Sequence, residues 1–235
     1  MNELLNKSLA QIVSSDHRAA AVFEKYHLDF CCKGKRSLEK ACSENKLEVD
    51  EVVADLEKEF SDLNAVNTDF DKFSLNQLTE YIVLTHHSYV KKEMPVLLSY
   101  LEKIVSKHGV RHPEMVKVLA LFREMYEEMS THMQKEELVL FPRINNISAS
   151  SYSYLNAPIC MMELEHDHAG KLLSEIRELT NNYNPPADAC TTYRLAFTML
   201  QHFEEDMHKH VHLENNLLFP KALKFFECSI KNQCV

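Results

Sequence analysis

Apolar residues recur every three or four positions along most of the chain, a spacing typical of helices with one buried face. After residue 73 the spacing predicts four long helices, over about 74–107, 113–142, 158–180 and 188–226. The first has a capping box in the run Ser-Leu-Asn-Gln from Ser74, and its Pro95 is expected to kink it. Short connections favour antiparallel neighbours, so residues 74–235 are predicted to form an up-down-up-down four-helix bundle.

The N-terminal part of the chain shows the same helical spacing in shorter pieces. It predicts a small helical domain that contains cysteine, over residues 1–60. Residues 61–73 are rich in Asn, Asp, Ser and Thr, whose side chains compete with helical hydrogen bonds, so they are predicted to be a linker. With 3 Gly and 7 Pro in 235 residues there is little turn chemistry for a β protein, and the predicted fold class is all-α.

Charge and cysteine usage narrow the class of partner. A formal net charge of −9 argues against nucleic acid or an anionic membrane surface as a partner. No stretch approaches the roughly 18 apolar residues that a membrane-spanning helix needs, and no N-terminal segment has the pattern of a signal peptide. The 7 cysteines are scattered rather than framed in pairs, which fits a reducing compartment. We therefore expect a cytoplasmic protein.

Two segments of the predicted bundle are near copies of one another. HMQKEELVLFP begins at His132 and HVHLENNLLFP begins at His210, so the second segment repeats the first. Upstream, His166 repeats His87 at nearly the same offset along the chain. The sequence thus contains a duplicated helix pair, and each copy supplies one His and then a His-x-x-x-Glu motif.

These polar residues lie on otherwise apolar helical stripes and are therefore expected to face the core. The stripes of the second, third and fourth helices are Val118, Phe122, Met125, Met129, His132, Glu136, Val139; Ile159, Met162, His166, Ala169, Leu173, Ile176; and Ala196, Leu200, Phe203, Met207, His210, Glu214, Leu217. On the first helix His87 shares a face with Val83, Val90 and Met94, whereas His86 lies on a more polar face. We therefore choose His87.

Buried imidazoles and carboxylates need a compensating cation. Six nitrogen and oxygen ligands from four helices suit two first-row metal ions, with the carboxylates bridging them. We predict a non-haem di-iron centre with an oxo or hydroxo bridge. Its predicted ligands are His87, His132, Glu136, His166, His210 and Glu214. The absence of Cys from this set disfavours structural zinc. The alternative without a metal is a bundle whose core histidines are hydrogen-bonded.

Residues near this set suggest further roles. Glu128 and Glu165 lie beside predicted ligands and are candidates to accept hydrogen bonds from the imidazoles. His168, His202, His208 and His212 are expected off the core face. Cys31 and Cys32 are adjacent, so a disulfide between them would be strained. Reactive thiols, metal ligands, a bridge between two chains in a homodimer, and inert core residues all remain open for this pair.

The chain resembles the iron-sulfur cluster repair family of di-iron proteins, in which a short Cys-containing domain precedes a hemerythrin-like bundle. The resemblance covers nearly the whole chain and is carried by YHLDFCCKG, SHMQKEELVLFP, ELEHDHAG, NPPADACTT and HLENNLLFP. The family's ligands fall on the six positions chosen above. Its usual Cys-Cys-Gly-Gly is Cys31-Cys32-Lys33-Gly34 here.

The resemblance implies a stress-response protein that repairs iron-sulfur clusters damaged by nitric oxide or peroxide, by donating iron to damaged iron-sulfur proteins. Cys31 and Cys32 would then be redox or partner thiols. An alternative is a di-iron reductase of nitric oxide or oxygen, and another is an oxygen or nitric oxide sensor. No catalytic residue is predicted, and the balance is against an enzyme. The iron oxidation state, the recipient proteins and the oligomeric state stay open.

Overall fold

The computed structural model describes residues 2–61, 68–146 and 155–224. Its helices are α1 (Asn2–Asn6), α2 (Leu9–Ser15), α3 (Ala19–Lys25), α4 (Leu38–Glu44), α5 (Val49–Phe60), α6 (Leu75–Ile82), α7 (Ser88–His108), α8 (Glu114–Lys135), α9 (Phe141–Asn145), α10 (Asn156–Leu179) and α11 (Thr191–His212). Over these ranges no strand forms, and a single bridge joins Ser8 to Ser37. The predicted all-α fold is confirmed.

Within the described residues, three segments are wound as π-helix, in which each N–H bonds to the fifth residue back rather than the fourth. They are the first π segment (Val83–His87), the second (Glu136–Leu140) and the third (Leu213–Leu218). Each joins directly onto an α-helix at one or both ends. Regular helical spacing did not predict them.

The chain divides into two compact units. The smaller unit contains residues 1–79 together with 208–235, and the larger contains residues 80–207. In the smaller unit Ser8 and Gln11 form a capping box, with N···O distances of 2.9 and 3.1 Å, that begins α2. The capping box predicted at Ser74 is confirmed, because Ser74 and Gln77 exchange the same two bonds at 2.9 and 3.3 Å.

Both ends of the chain build the core of the smaller unit. Phe30, which is 1% exposed, lies with its ring centroid 6.1 Å from Phe23, 6.1 Å from His208 and 5.7 Å from His212. Lys221 donates hydrogen bonds to the carbonyl oxygens of Asp71 (2.8 Å) and Phe73 (2.6 Å). The C-terminal helical residues are therefore an integral part of this unit.

The larger unit is a bundle of α7, α8, α10 and the first part of α11. Its centre is apolar, with Phe122 of α8 meeting Phe203 of α11 edge to face at 5.6 Å. Lys117 of α8 forms an ion pair with Glu175 of α10 on the outside. Val83, predicted on the buried face with His87, is partly exposed. The other residues of these stripes are buried as the sequence predicts, with one exception in the second helix.

That exception is Val139, which was predicted on the buried stripe and is 43% exposed. The prediction was wrong because the second π segment turns the chain by less per residue than an α-helix, so that Leu140 and Phe141 face inward instead. Pro95 lies within α7, and the helix continues past it, so the kink expected there stays a prediction. The irregular turn in this part of the chain is the first π segment, which directly precedes α7.

Some boundaries also differ from the predictions. The fourth helix was predicted to begin at residue 188, yet α11 begins at Thr191, and the Asp188 carboxylate contacts His112 and Arg111, each at 3.0 Å. The predicted linker 61–73, the connection between the second and third predicted helices, and the end of the fourth helix near residue 226 lie partly outside the described residues. No helix in the described ranges is both long and apolar enough to cross a membrane.

Candidate metal centre

The larger unit places four of the six predicted ligands together at its core. His87, His132, Glu136 and His166 are each 0–1% exposed. One oxygen of the Glu136 carboxylate lies 3.3 Å from Nε2 of His87 and 3.3 Å from Nε2 of His132. The Nε2 atoms of His132 and His166 are 3.1 Å apart. The Glu136 carboxylate thus lies close to the imidazoles of both His87 and His132.

The imidazoles are oriented by carboxylates on their far side. Nδ1 of His87 lies 2.7 Å from Oε1 of Glu137, and Nδ1 of His132 lies 2.8 Å from Oε2 of Glu165. An ionised carboxylate accepts a hydrogen bond, so Nδ1 carries the proton and Nε2 presents a lone pair toward Glu136. Such a lone pair and a carboxylate facing each other in a buried space favour a cation between them.

Each of these carboxylates is in turn held by a lysine. Lys91 donates to both oxygens of Glu137 at 2.6 and 2.8 Å, and Lys135 donates to Glu165 at 2.6 Å. The hydrogen bond from His132 lowers the pKa of Glu165 to about 2, an effect that burial opposes and Lys135 reinforces. Burial would raise the pKa of Glu137, but Lys91 and His87 outweigh it and the pKa is lowered. Both carboxylates therefore remain ionised at neutral pH.

The smaller unit contains the other two predicted ligands. His210 and Glu214 are 1% and 0% exposed, and Nε2 of His210 lies 3.0 Å from Oε1 of Glu214. This pair repeats the i, i+4 relation of His132 and Glu136 in the larger unit. His210 lies near the end of α11, and Glu214 lies in the third π segment.

Each π segment carries one of the predicted ligands. The first ends at His87, the second begins at Glu136 and the third contains Glu214. Wide π turns are frequent at functional sites, because the extra residue redirects a side chain that regular winding would aim elsewhere. In the first π segment both His86 and His87 become buried, and His86 pairs with Asp206 at 2.9 Å. The sequence pattern had assigned His86 to a more polar face.

The remaining sequence candidates lie in different surroundings. Glu165 contacts His132, as described above, whereas Glu128 lies 3.3 Å from Nε2 of the exposed His168, beside Glu124. Glu137 was not predicted at all, although its position next to Glu136 was a signal. His212, expected off the core face, is 3% exposed, and burial lowers its pKa to about 4. Cys31 is buried and Cys32 is partly exposed, with their sulfur atoms 3.8 Å apart.

The donor set of the larger unit fits first-row metal ions. Ligand atoms of His132, Glu136 and His166 lie within 4.8 Å of one another, as do those of His87 and Glu136. Neutral imidazole and carboxylate are the ligands of non-haem iron in helical bundles. The outer Glu–Lys pairs supply the hydrogen bonds that metal-bound imidazoles usually have.

A matched pair of variants tests the role of the outer carboxylates. Glu165→Gln keeps the size of the side chain but removes the charge that orients His132, and we expect iron affinity to fall about 10- to 100-fold. Glu128→Gln, one of the two sequence candidates, should leave iron affinity unchanged because Glu128 contacts His168 instead. Competition with a ferrous chelator measures both. Equal affinities in the two variants would contradict the assigned role of Glu165.

Comparison with known proteins identifies two regions of the chain. Residues 79–222 match the hemerythrin HHE cation binding domain, and residues 5–59 match the N-terminal ScdA domain, described as a domain of unknown function. A probable iron-sulfur cluster repair protein of Haemophilus influenzae is 36% identical over 92% of this chain and 96% of its own length. The iron-sulfur cluster repair protein YtfE of Escherichia coli is 36% identical over 93% and 97%, and that of an Enterobacter species 34% over the same shares.

Proposed function

The chain belongs to the family of iron-sulfur cluster repair proteins that carry a hemerythrin domain, and on this premise we propose that it donates iron to damaged clusters. The observation that carries the proposal is the buried carboxylate of Glu136 between two oriented imidazoles. A redox-active pair of iron ions would supply both electrons and the iron itself.

We propose that all six predicted ligands hold the two ions. Two observations support this set: the duplicated sequence, which relates His87, His132 and Glu136 to His166, His210 and Glu214, and the near-complete burial of each of the six side chains. Glu136 and Glu214 would then supply the two carboxylates that hold the ions. The His-x-x-x-Glu pairs keep their i, i+4 geometry in both units, so that each can offer a nitrogen and an oxygen on one helical face.

The outer pairs give this chain a means to hold iron and to let it go. Lys91 and Lys135 are about half exposed, whereas the imidazoles that they hold through Glu137 and Glu165 are buried. The carboxylates fix the protons on Nδ1, so that Nε2 stays available to a metal. For iron to leave, these imidazoles would have to turn or gain protons. Glu137 and Glu165 border solvent and hold the imidazoles, so they are the groups that would control that change.

The proposed partners follow from the family. They are iron-sulfur proteins whose clusters nitric oxide or peroxide has damaged, and the proposed location is the cytoplasm, where scattered cysteines stay reduced. A homodimer stays a prediction.

Direct transfer of iron can be measured. A [4Fe–4S] hydro-lyase inactivated by peroxide is mixed, without oxygen, with the iron-loaded protein and a ferrous chelator. We expect recovery of activity that the same amount of free Fe²⁺ does not give, because the chelator captures free iron. His132→Ala should give no recovery, and Glu127→Gln, an exposed change on the same helix, should behave as wild type. Equal recovery with His132→Ala would overturn the proposal.

The alternative function is reduction of nitric oxide or oxygen, or sensing of either gas. The relatives are named for cluster repair, so the comparisons do not favour it. Stopped-flow mixing of the reduced protein with excess nitric oxide separates the two. Donation predicts at most stoichiometric binding, whereas consumption of many equivalents per chain would establish the reductase.

A further inference from the structure

The loop after α3 brings three donor atoms to one side of the backbone. The sulfur atoms of Cys31 and Cys32 are 3.8 Å apart, and Oδ1 of Asp29 lies 3.4 Å from the Cys31 sulfur. The same Asp29 oxygen accepts hydrogen bonds from the backbone N–H groups of Cys32 (2.9 Å) and Lys33 (3.2 Å). The carboxylate is thereby fixed beside both thiols.

A hydrogen bond and a buried side chain hold this loop in place. The side chain of Asn216 donates to the carbonyl oxygen of Cys31 at 3.0 Å, and Phe30 is packed in the core of the smaller unit. Gly34 closes the loop so tightly that a Cβ there would lie 2.1 Å from the Phe30 carbonyl oxygen. Lys33, which replaces the family's usual Gly, is not among the residues with positive φ, so the turn accommodates its side chain.

The distances match those of a tetrahedral metal site. An ion about 2.3 Å from each of two thiolate sulfurs places them about 3.8 Å apart, and an oxygen ligand at about 2.1 Å lies roughly 3.5 Å from sulfur. The observed separations are 3.8 and 3.4 Å. We propose that Asp29, Cys31 and Cys32 form a second metal site, which binds one thiophilic divalent cation, Zn²⁺ or Fe²⁺, and keeps a fourth position open.

A metal site accounts for this pair better than redox chemistry does. A disulfide needs sulfur atoms about 2.05 Å apart, and adjacent cysteines reach this only with backbone strain. The hydrogen bond with Cys32, burial, and the Asp29 carboxylate raise the pKa of Cys31 well above its usual value, which is unfavourable for a nucleophilic thiolate. A bound cation supplies the charge that removes the proton, and the thiol proton passes to solvent as the metal–sulfur bond forms.

The site is built to exchange its ion rather than to enclose it. Cys31 is buried, but Cys32 and Asp29 are both partly exposed, so the open side faces solvent. Three protein ligands and an open position are typical of sites where a metal meets another ligand, in contrast to the closed four-ligand sites that serve structure alone. The inference does not rest on the repair function, because these ligands lie outside the bundle motif.

Cobalt titration of the full-length, iron-loaded chain tests this proposal. Thiolate ligation gives Co²⁺ an intense near-ultraviolet charge-transfer band that nitrogen and oxygen ligands do not give. A background variant with Cys160, Cys190, Cys228 and Cys234 all changed to Ser keeps the pair and removes the other cysteines except the buried Cys42. We expect the band to saturate at one Co²⁺ per chain, and Zn²⁺ to displace it.

Two substitutions in that background provide the decisive comparison. Cys32→Ser should abolish the band. Asp29→Asn keeps an oxygen acceptor for the two backbone N–H groups but removes the charge, and should weaken Co²⁺ binding at least tenfold. Iron content of the bundle should stay unchanged in both, which separates this site from the di-iron centre. A missing band in the background variant, or an undiminished one in Cys32→Ser, would overturn the proposal.

Discussion

Replacing Glu136 with glutamine should remove iron from the protein while leaving the iron-free fold intact. Glu136 is 0% exposed and lies 3.3 Å from the imidazoles of His87 and His132. Its negative charge is what the proposed iron binding would use, and burying that charge is unfavourable when no metal is bound. We expect iron content to fall from about two per chain to below one. The measurements are metal analysis and thermal unfolding of the iron-free and iron-loaded forms.

The two unfolding curves separate a ligand from a merely structural residue. Wild type should gain about 2.7 kcal/mol when iron is a hundredfold above its dissociation constant, and Glu136→Gln should gain almost nothing. Without iron, the variant should be at least as stable as wild type, because an uncharged amide is easier to bury than a carboxylate. Glu127→Gln, exposed on the same helix, is the control. A variant that is destabilised without iron and still binds two ions would refute the assigned role.

Replacing Phe30 with alanine should destabilise the smaller unit by about 3–5 kcal/mol. Its side chain is 1% exposed, and its ring centroid lies 6.1 Å from that of Phe23, 6.1 Å from that of His208 and 5.7 Å from that of His212. The change leaves a cavity between residues from the two ends of the chain, so both lose packing. Hydrogen exchange should report the loss in α3 and in the helical residues after 208, with little change in α8 and α10.

Graded and surface variants sharpen this test. Phe30→Leu fills most of the space and should cost less than Phe30→Ala. Leu84→Ala removes a side chain that is 66% exposed and should change the free energy of unfolding by no more than about 0.5 kcal/mol. A loss of protection spread evenly over both units would show that they unfold as one and contradict the expected local effect.

The helical class and the four long helices could be predicted from the sequence because burial imposes a helical period on apolar positions. That period also singled out His87 over His86, a choice that rested on regular winding. The first π segment breaks the winding there and buries both rings, and the second exposes Val139. A π turn has no strong single-residue signature, so a pattern of apolar positions cannot locate it.

The groups that orient the imidazoles were harder to predict, because they come from different helices. Glu165 was a candidate through its place beside His166, but it contacts His132. Glu137 contacts His87, which is far away along the chain. Such pairs depend on how neighbouring helices are rotated, and that rotation is set by the packing of many apolar side chains. Glu128 also lies close in sequence to a predicted ligand, but its carboxylate contacts His168 instead.

The smaller unit is built from two segments that are far apart in the sequence, and this limits when it can fold during synthesis. Its N-terminal part, up to Thr79, is translated before the larger unit, but the part from His208 onward, which covers Phe30 and holds the Cys31 carbonyl through Asn216, is translated only after the whole of the larger unit. Until then the nascent N-terminal segment lacks part of its core and exposes apolar surface that chaperones recognise. A chain that stops short of His208 therefore cannot finish the domain with which it began.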